Sequence, residues 1–387
     1  MIRNCIQVYL ELMGCVVLAG CTAGPVEGVV PENARMIALS FGKPDLGMPV
    51  VLTRAGEAGA PSPELLPEGA TLRIGAYFRS DPGEEQAAPV SFSTTAPTLE
   101  ATYKVEADGS LSSCRVDDNG KPVDGEAKEM VVRGGVYDFF AVSPARKWVK
   151  DTDDDVYKIK DIPHKEDVMT SSVRGVTVSS NSRRVALGTF NRKCALVVFN
   201  VAPSKENVLP FDRLYATRLV ISKISSSGAV LIVGADTGIQ LIGGNGGYTA
   251  QVVFGTDEFE PVEADPDNVG LNKAKGVLLP KSEAPFDVEI DVQRDDKTAT
   301  LKATIDKSIS FDGGKRYVFT LEVKNNESRL LLRVLDWHTI SFTDTHVGAP
   351  DRPYPDPDIN EGIGTTFTVA RWKEITWTGN GEAGSWK

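Results

Sequence analysis

The residues most able to support catalysis or metal binding are three histidines and two acidic loops. His164, His338 and His346 lack the spacing of a zinc protease, and the sequence contains neither a Gly-x-Ser-x-Gly elbow nor a phosphate-binding Gly-Lys-Ser/Thr loop. The acidic loops at 151–155 and 356–360 begin like calcium loops, but valine and glutamate stand at the sixth position, where such loops need glycine. We therefore predict a protein that is not an enzyme and has no catalytic residues, metal site or cofactor.

The thiol of Cys21 ends an N-terminal leader. Residues 1–20 carry one basic residue, Arg3, and a mostly apolar run, and they close on Leu-Ala-Gly before the cysteine, a pattern that resembles a bacterial lipobox. We predict a lipoprotein signal peptide at 1–21, with Cys21 as the lipidation site and acyl chains that anchor the protein to a membrane. Gln7 and Glu11 interrupt the apolar run, so an ordinary secretory signal is the alternative.

A short amphipathic strand follows the leader. Ile37, Leu39 and Phe41 alternate with smaller or polar residues, so they share one face of an extended segment. Beyond it, Arg54 and Ala55 stand at the head of a loop rich in small residues and proline, which is a favourable place for a protease to cut. A cut there would separate residues 22–54, a tether plus this strand, from the rest of the chain.

Composition limits the classes of partner. The chain has 387 residues, enough for two domains, and a formal net charge of −11 with a pI near 5.0. Phosphate binding needs a basic surface, so nucleic acid is excluded as a partner. If the leader is removed and Cys21 is acylated, Cys114 and Cys194 remain; they could pair in an oxidising compartment, or Cys194 could be a buried thiol within an apolar strand.

The pattern of the remaining chain predicts many short strands separated by turns. Alternating or apolar runs at 71–78, 130–142 and 286–305 are bounded by Gly, Pro, Asn and Asp, and this spacing is typical of β-sandwiches. We predict two all-β domains, at 55–203 and 204–387. Residues 214–224 and 229–234 flank Ser-Ser-Ser-Gly and are expected to form a hairpin.

Several segments, in order, resemble the fimbrillin family, the type V pilus subunits of Bacteroidia. They are VRGGVYDFFAVSP at 132–144, LGTFNR at 187–192, VLLP at 277–280 and FDGGKRYVFTL at 311–321. Together with the lipobox and the Thr-Arg-Ala at 53–55, they span most of the chain. The resemblance implies two transthyretin-like Greek-key β-sandwiches in tandem, exported as a lipoprotein to the outer membrane of a Gram-negative cell and polymerised on its surface.

The same resemblance implies a mechanism of assembly. An arginine-specific protease would cut at Arg54-Ala55 and remove the strand carrying Ile37, Leu39 and Phe41. A donor strand from a neighbouring subunit would then fill the vacated groove, giving a homo- or hetero-polymer that supports adhesion to a host or bacterial surface ligand.

The candidate donor strand lies near the C-terminus and carries Phe367, Val369, Ile375 and Trp377. It could equally be the last strand of the second domain, so the sequence leaves stalk, tip and anchor positions open. The alternative function is a monomeric surface lipoprotein that binds glycan through its tryptophan-rich C-terminal domain.

Overall fold

The chain is almost entirely β-structure. The computed structural model describes residues 35–47, 64–84, 87–204, 214–225, 229–234, 248–259, 272–280, 285–305, 309–324, 327–336 and 366–379. The strands of its first half are β1 (Met36–Ala38), β2 (Ser40–Phe41), β3 (Thr71–Ser80), β4 (Leu99–Val105), β5 (Leu111–Ser113), β6 (Arg115–Val116), β7 (Pro122–Val123), β8 (Val131–Arg133), β9 (Gly135–Ser143), β10 (Trp148–Lys150), β11 (Tyr157–Ile162), β12 (Met169–Val178), β13 (Arg184–Val185) and β14 (Asn191–Arg192).

The later strands are β15 (Ala195–Pro203), β16 (Leu214–Ile224), β17 (Ala229–Ile232), β18 (Ala250–Phe254), β19 (Asn272–Leu278), β20 (Phe286–Arg294), β21 (Lys297–Ile305), β22 (Lys315–Lys324), β23 (Glu327–Asp336), β24 (Thr366–Trp372) and β25 (Thr378–Gly379). Among the described residues the only helical element is a 3₁₀ turn, Thr256–Glu258. None of the helical structure in that part of the chain is long and apolar enough to cross a bilayer. The all-β prediction is confirmed.

A six-stranded sheet in the order β14-β12-β9-β3-β4-β5 forms the main layer of the N-terminal half. Every residue of its central strand β9 is buried. Tyr137, Phe139 and Ala141 pack into a core on one face, whereas Phe140 and Val142 pack into a second core on the other. Because both faces are covered, this strand reads as a continuous apolar run rather than an alternating one.

The C-terminal half is a sandwich of two five-stranded sheets, ordered β19-β15-β22-β23-β24 and β18-β16-β20-β21-β25. Strand β20 shows why they face each other, because every second residue from Phe286 to Arg294 is buried and the residues between are partly exposed. The apolar members of that buried set, Phe286, Val288, Ile290 and Val292, belong to one large core shared by both sheets.

Strand β15 lies within this second sandwich. It runs antiparallel to β19 and parallel to β22, with Val197 opposite Tyr317. Residues 195–203, which the sequence pattern places at the end of the first domain, thus pair with strands of the C-terminal half, and the domain limits stay predictions.

A three-stranded sheet, β10-β11-β17, joins the two halves. Strand β17 follows β16 in the chain, yet it pairs with β11, and Ala229 and Leu231 are buried beside Phe140 and Trp148. The expected hairpin between 214–224 and 229–234 is therefore wrong. The apolar face of β17 instead lies in the core between the halves, where its burial stabilises the pairing with β11.

Candidate functional site: the leading strand and its groove

The first strands of the described chain lie in the middle of a layer that covers the six-stranded sheet. Along one edge, β1 runs antiparallel to β8, with Ile37 opposite Val132. The amide of Leu39 continues this ladder by donating to the carbonyl of Met130 at 2.9 Å. Residues 36–39 are thus hydrogen-bonded as a regular strand along their first edge.

The other edge is also paired. Strand β2 runs parallel to β13, and the amides of Ser40 and Gly42 donate to the carbonyls of Arg183 and Val185 at 3.0 and 2.8 Å. The leading segment therefore bridges β8 and β13, which do not pair with each other in the described sheets. Removing it would leave two unpaired strand edges, those of β8 and β13, separated by the width of one strand. The space between these two edges is called the groove.

The exposure of the side chains defines the inward face of this strand. Ile37 and Leu39 are 6% and 7% exposed, whereas Met36 is 67% exposed. Phe41 is half-buried and meets the rings of Tyr103 and Phe139 edge-on, with centroids 5.2 and 6.1 Å apart. At about 1.5–3 kcal/mol for each fully buried apolar side chain, two buried and one half-buried residue stabilise the strand by roughly 4–7 kcal/mol.

The leading segment is also held in place by residues beyond Phe41, where the sequence pattern does not indicate a strand. Asp45 forms a bridge with Leu65, its carbonyl accepts from the amide of Phe190 at 2.9 Å, and its carboxylate accepts from the hydroxyl of Thr189 at 3.1 Å. Leu46 is buried in the same core as Leu39. Any removal of the strand would therefore also have to break contacts made by residues 42–47, and the LGTFNR motif supplies part of those contacts.

Cys21, Arg54 and Ala55 lie outside the described residues, so their roles stay predictions.

The aspartate of the GVYDFF motif has a structural role behind the groove. Asp138 is fully buried and ion-pairs with Arg79 and Arg174 at 3.3 and 3.1 Å. It also accepts from the amides of Val90 and Gly175, and Arg174 stacks over the ring of Phe92. This carboxylate ties residues 87–92 to the face of the sheet opposite the groove, a role that no spacing in the sequence reveals.

The C-terminal segment is part of the second sandwich. Strand β24 is the edge strand next to β23, whereas β25 pairs with β21 in the opposite sheet. Ile375, between them, is buried in the shared core, Val369 packs against that core, and the backbone of Phe367 is in register with Leu332. The chain thus crosses from one sheet to the other over residues 366–379, and a donor-strand role for this segment stays a prediction.

The described tryptophans of this segment pack against the protein. Trp372 lies against the core and donates its indole N–H to the carbonyl of Lys302 at 3.1 Å. The guanidinium of Arg294 lies 4.6 Å from the ring centroid of Trp377. Neither ring forms an open platform of the kind that stacks on a sugar, so these contacts do not favour the glycan-binding alternative.

The two thiols and the acidic loop at 151–155 make contacts that are typical of structural residues. Cys114, half-buried, and Cys194, buried, are both free thiols, and burial raises the pKa of Cys194 to about 12. In the loop at 151–155, Asp151 faces Lys158 and Lys160 at 3.1 and 3.0 Å. The backbone amide of Asp153 and these lysines hold the pKa of Asp151 below its usual range. The loop at 356–360 lies outside the described residues.

His164 joins the two halves. Its Nδ1 accepts from the amide of Leu279 at 3.1 Å, and its Nε2 donates to the carbonyl of Ser225. Because one nitrogen accepts and the other donates, the ring is neutral in this arrangement. Burial lowers its pKa, against the smaller opposing effect of the Ser225 hydrogen bond. His338 and His346 lie outside the described residues.

Comparison with known proteins now decides the family. Residues 127–337, more than half of the chain, match the model of a family described as fimbrillin-like. The chain belongs to the fimbrillin-like family. Membership places it among fimbrial proteins of the cell surface, a structural family and not a family of enzymes. No curated protein matches the sequence.

Solved structures with some likeness to this fimbrillin-like chain come from Bacteroides and Porphyromonas species. A candidate cell adhesion protein of Bacteroides fragilis is 18% identical with a TM-score of 0.49, and the match covers 78% of this chain and 97% of that one. One from Bacteroides uniformis is also 18% identical, with a TM-score of 0.46 and coverage of 78% and 99%. The tip fimbrial protein Mfa3 of Porphyromonas gingivalis is 10% identical, with a TM-score of 0.36 and coverage of 70% and 95%.

Proposed function

We propose that this chain is a fimbrial subunit that is activated by removal of its leading strand and completed by a strand from a neighbouring subunit. The observation that carries the proposal is the position of residues 36–41, which are hydrogen-bonded along both edges and bury Ile37 and Leu39 in the groove. Loss of this strand would expose two unpaired strand edges around an apolar groove. Such edges bind extended segments by β-strand addition, in which the backbone supplies affinity and the alternate side chains supply specificity.

The cut that releases the strand lies between Arg54 and Ala55 in this proposal, and Cys21 carries the lipid that holds the precursor at the outer membrane. The anchoring of residues 42–47 to Leu65 and to the 189–190 segment supports a slow release, because these contacts persist after the peptide bond is cut. The precursor would then be a stable lipoprotein, and polymerisation would wait for the departure of the strand.

The C-terminal segment supports one position in the fibre over the others. Strands β24 and β25 are built into both sheets of the second sandwich, and Ile375 is part of its core. Offering this segment to a neighbour would open the subunit's own core. This favours a chain that receives a donor strand but keeps its own tail, and therefore one that caps the tip of a fibre.

The test uses the purified precursor, an arginine-specific protease and a fluorescent peptide of residues 36–47. We expect a new N-terminus at Ala55, followed by capture of the peptide. The same peptide with Leu39→Asp should bind at least about tenfold more weakly, because the charge of the aspartate would enter the apolar groove. An Arg54→Lys precursor is the matched control, since it keeps the charge and resists this protease.

Peptide capture without a ladder of polymers would identify a capping subunit, and a ladder would identify a stalk subunit. A processed chain that binds neither peptide nor a second subunit would refute the exchange of strands.

A further inference from the structure

A pair of consecutive arginines lies next to the leading strand. Arg183 and Arg184 are exposed, at the end of a turn in which Ser179 and Ser182 exchange two backbone hydrogen bonds of 3.1 and 3.0 Å. Exposed turns with small polar residues are the preferred places for proteolytic nicking. The side chains of this pair are therefore presented to an arginine-specific protease.

The backbone of the same residues is held by the leading strand. The carbonyls of Arg183 and Val185 accept hydrogen bonds from Ser40 and Gly42, and Arg184 is in register with Ser40. The side chain of Val185 is buried in the groove core together with Leu39. A protease needs several residues drawn out of the fold into an extended conformation, so these contacts must break before the bond after either arginine can be cut.

Strand β13 depends on this one partner. In the described part of the chain it pairs with β2 alone, and this two-residue pairing is parallel, the weaker of the two ladder types. When the leading strand departs, the 179–185 turn loses its only strand pairing among the described sheets. A donor strand that takes the same place would restore it.

We propose that Arg183-Arg184 is a second processing site, hidden by the leading strand, opened when that strand leaves and closed again when a donor strand binds. Hydrolysis there adds one water across the peptide bond after Arg183 or Arg184, leaving a new carboxylate and a new amino terminus. The cut would sever the β13 edge that a donor strand needs, so an activated subunit that finds no partner would lose its capacity to assemble. This inference rests on the proposed function, because it requires the leading strand to be removable.

The experiment is a time course of the full-length precursor with an arginine-specific protease, with fragments identified by mass spectrometry. We expect the cut at Arg54 first and the cut at 183–184 later. The two backbone hydrogen bonds bias the opening of the turn by roughly 5- to 150-fold, so the second cut should accelerate by a factor in that range once the strand has gone. Excess peptide 36–47 should slow it again, whereas cleavage at Arg371, exposed in the second sandwich, should not respond.

Two variants separate this inference from the proposed function. The double variant Arg183→Lys and Arg184→Lys should keep the first cut and lose the second. In an uncut chain, Leu39→Asp should loosen the strand and expose the dibasic bond even if Arg54 is never processed. A second cut at the same rate with the strand present, absent or replaced by peptide would overturn the inference and leave the proposed function standing. Failure of the processed chain to capture peptide, with the second cut still dependent on Leu39, would overturn the proposed function alone.

Discussion

Replacement of Leu39 by alanine tests the central structural feature, the packing of the leading strand. Leu39 is 7% exposed and lies in the groove core with Val132 and Val185. Truncation of a buried leucine costs about 2–5 kcal/mol, depending on how far the site can collapse. Phe41, two residues on, is only half-buried, so this end of the groove can relax, and we expect a loss of about 2–3 kcal/mol from the free energy of unfolding of the N-terminal half.

Met36→Ala is the matched control. Met36 belongs to the same strand but is 67% exposed, so its truncation should change stability by no more than about 0.5 kcal/mol. With a urea dependence of about 1–3 kcal/mol per molar, the Leu39 variant should lose roughly 0.7–3 M from its unfolding midpoint. The midpoint of the control should be almost unchanged.

Amide hydrogen exchange locates the effect. In the Leu39 variant, peptides that cover β8 and β13 should exchange faster, because both strands are paired with the leading segment. Peptides of β20 and β22 in the second sandwich should keep their protection. Equal midpoints for the two variants, or faster exchange spread evenly over both halves, would refute the placement of this strand in the groove.

Three further predictions concern groups outside the groove. Asp138→Ala should cost about 3–5 kcal/mol, because it leaves the buried guanidinium of Arg79 without its carboxylate. Glu289→Ala on the partly exposed face of β20 should cost under about 1 kcal/mol, and thermal unfolding of both variants measures the difference. The free energy of unfolding should fall as the pH drops below about 6.5, and His164→Asn should reduce this slope. Iodoacetamide should label Cys114 in the native protein and Cys194 only after unfolding, as peptide mapping would show.

The direction of the pH effect follows from the lowered pKa of His164. Between that lowered value and the ordinary value of 6.5, the unfolded chain binds the larger number of protons, so stability rises with pH through this window and is fully present above it. A variant with the same slope as the wild type would show that the neutral ring does not join the halves.

Equal labelling of the two thiols, or an Asp138 variant as stable as the Glu289 variant, would contradict the burial of those groups.

The sequence predicts much of the fold because burial on one face leaves a local periodic pattern. The alternation of Ile37, Leu39 and Phe41 correctly indicates a strand with one inward face, and Phe286, Val288 and Ile290 do the same in the second sandwich. The family, too, is evident from ordered motifs, of which the first includes Tyr137 and Asp138. These signals depend on neighbouring residues in the chain and need no knowledge of the partner strand.

The choice of partners is decided by the tertiary structure alone. Strand β17 joins β11 instead of its neighbour β16, Asp45 binds Thr189, and residues 366–379 close the second sandwich. Each of these pairings brings together segments far apart in the chain, and their stability depends on the apolar surface that the whole arrangement buries. The sequence by itself thus determined which segments are strands and which faces turn inward. Only the tertiary structure decided which strand edges pair. The backbone hydrogen-bonding groups are chemically alike along every strand, so they do not specify a partner. The apolar cores do specify it, and they are assembled from residues of the entire chain.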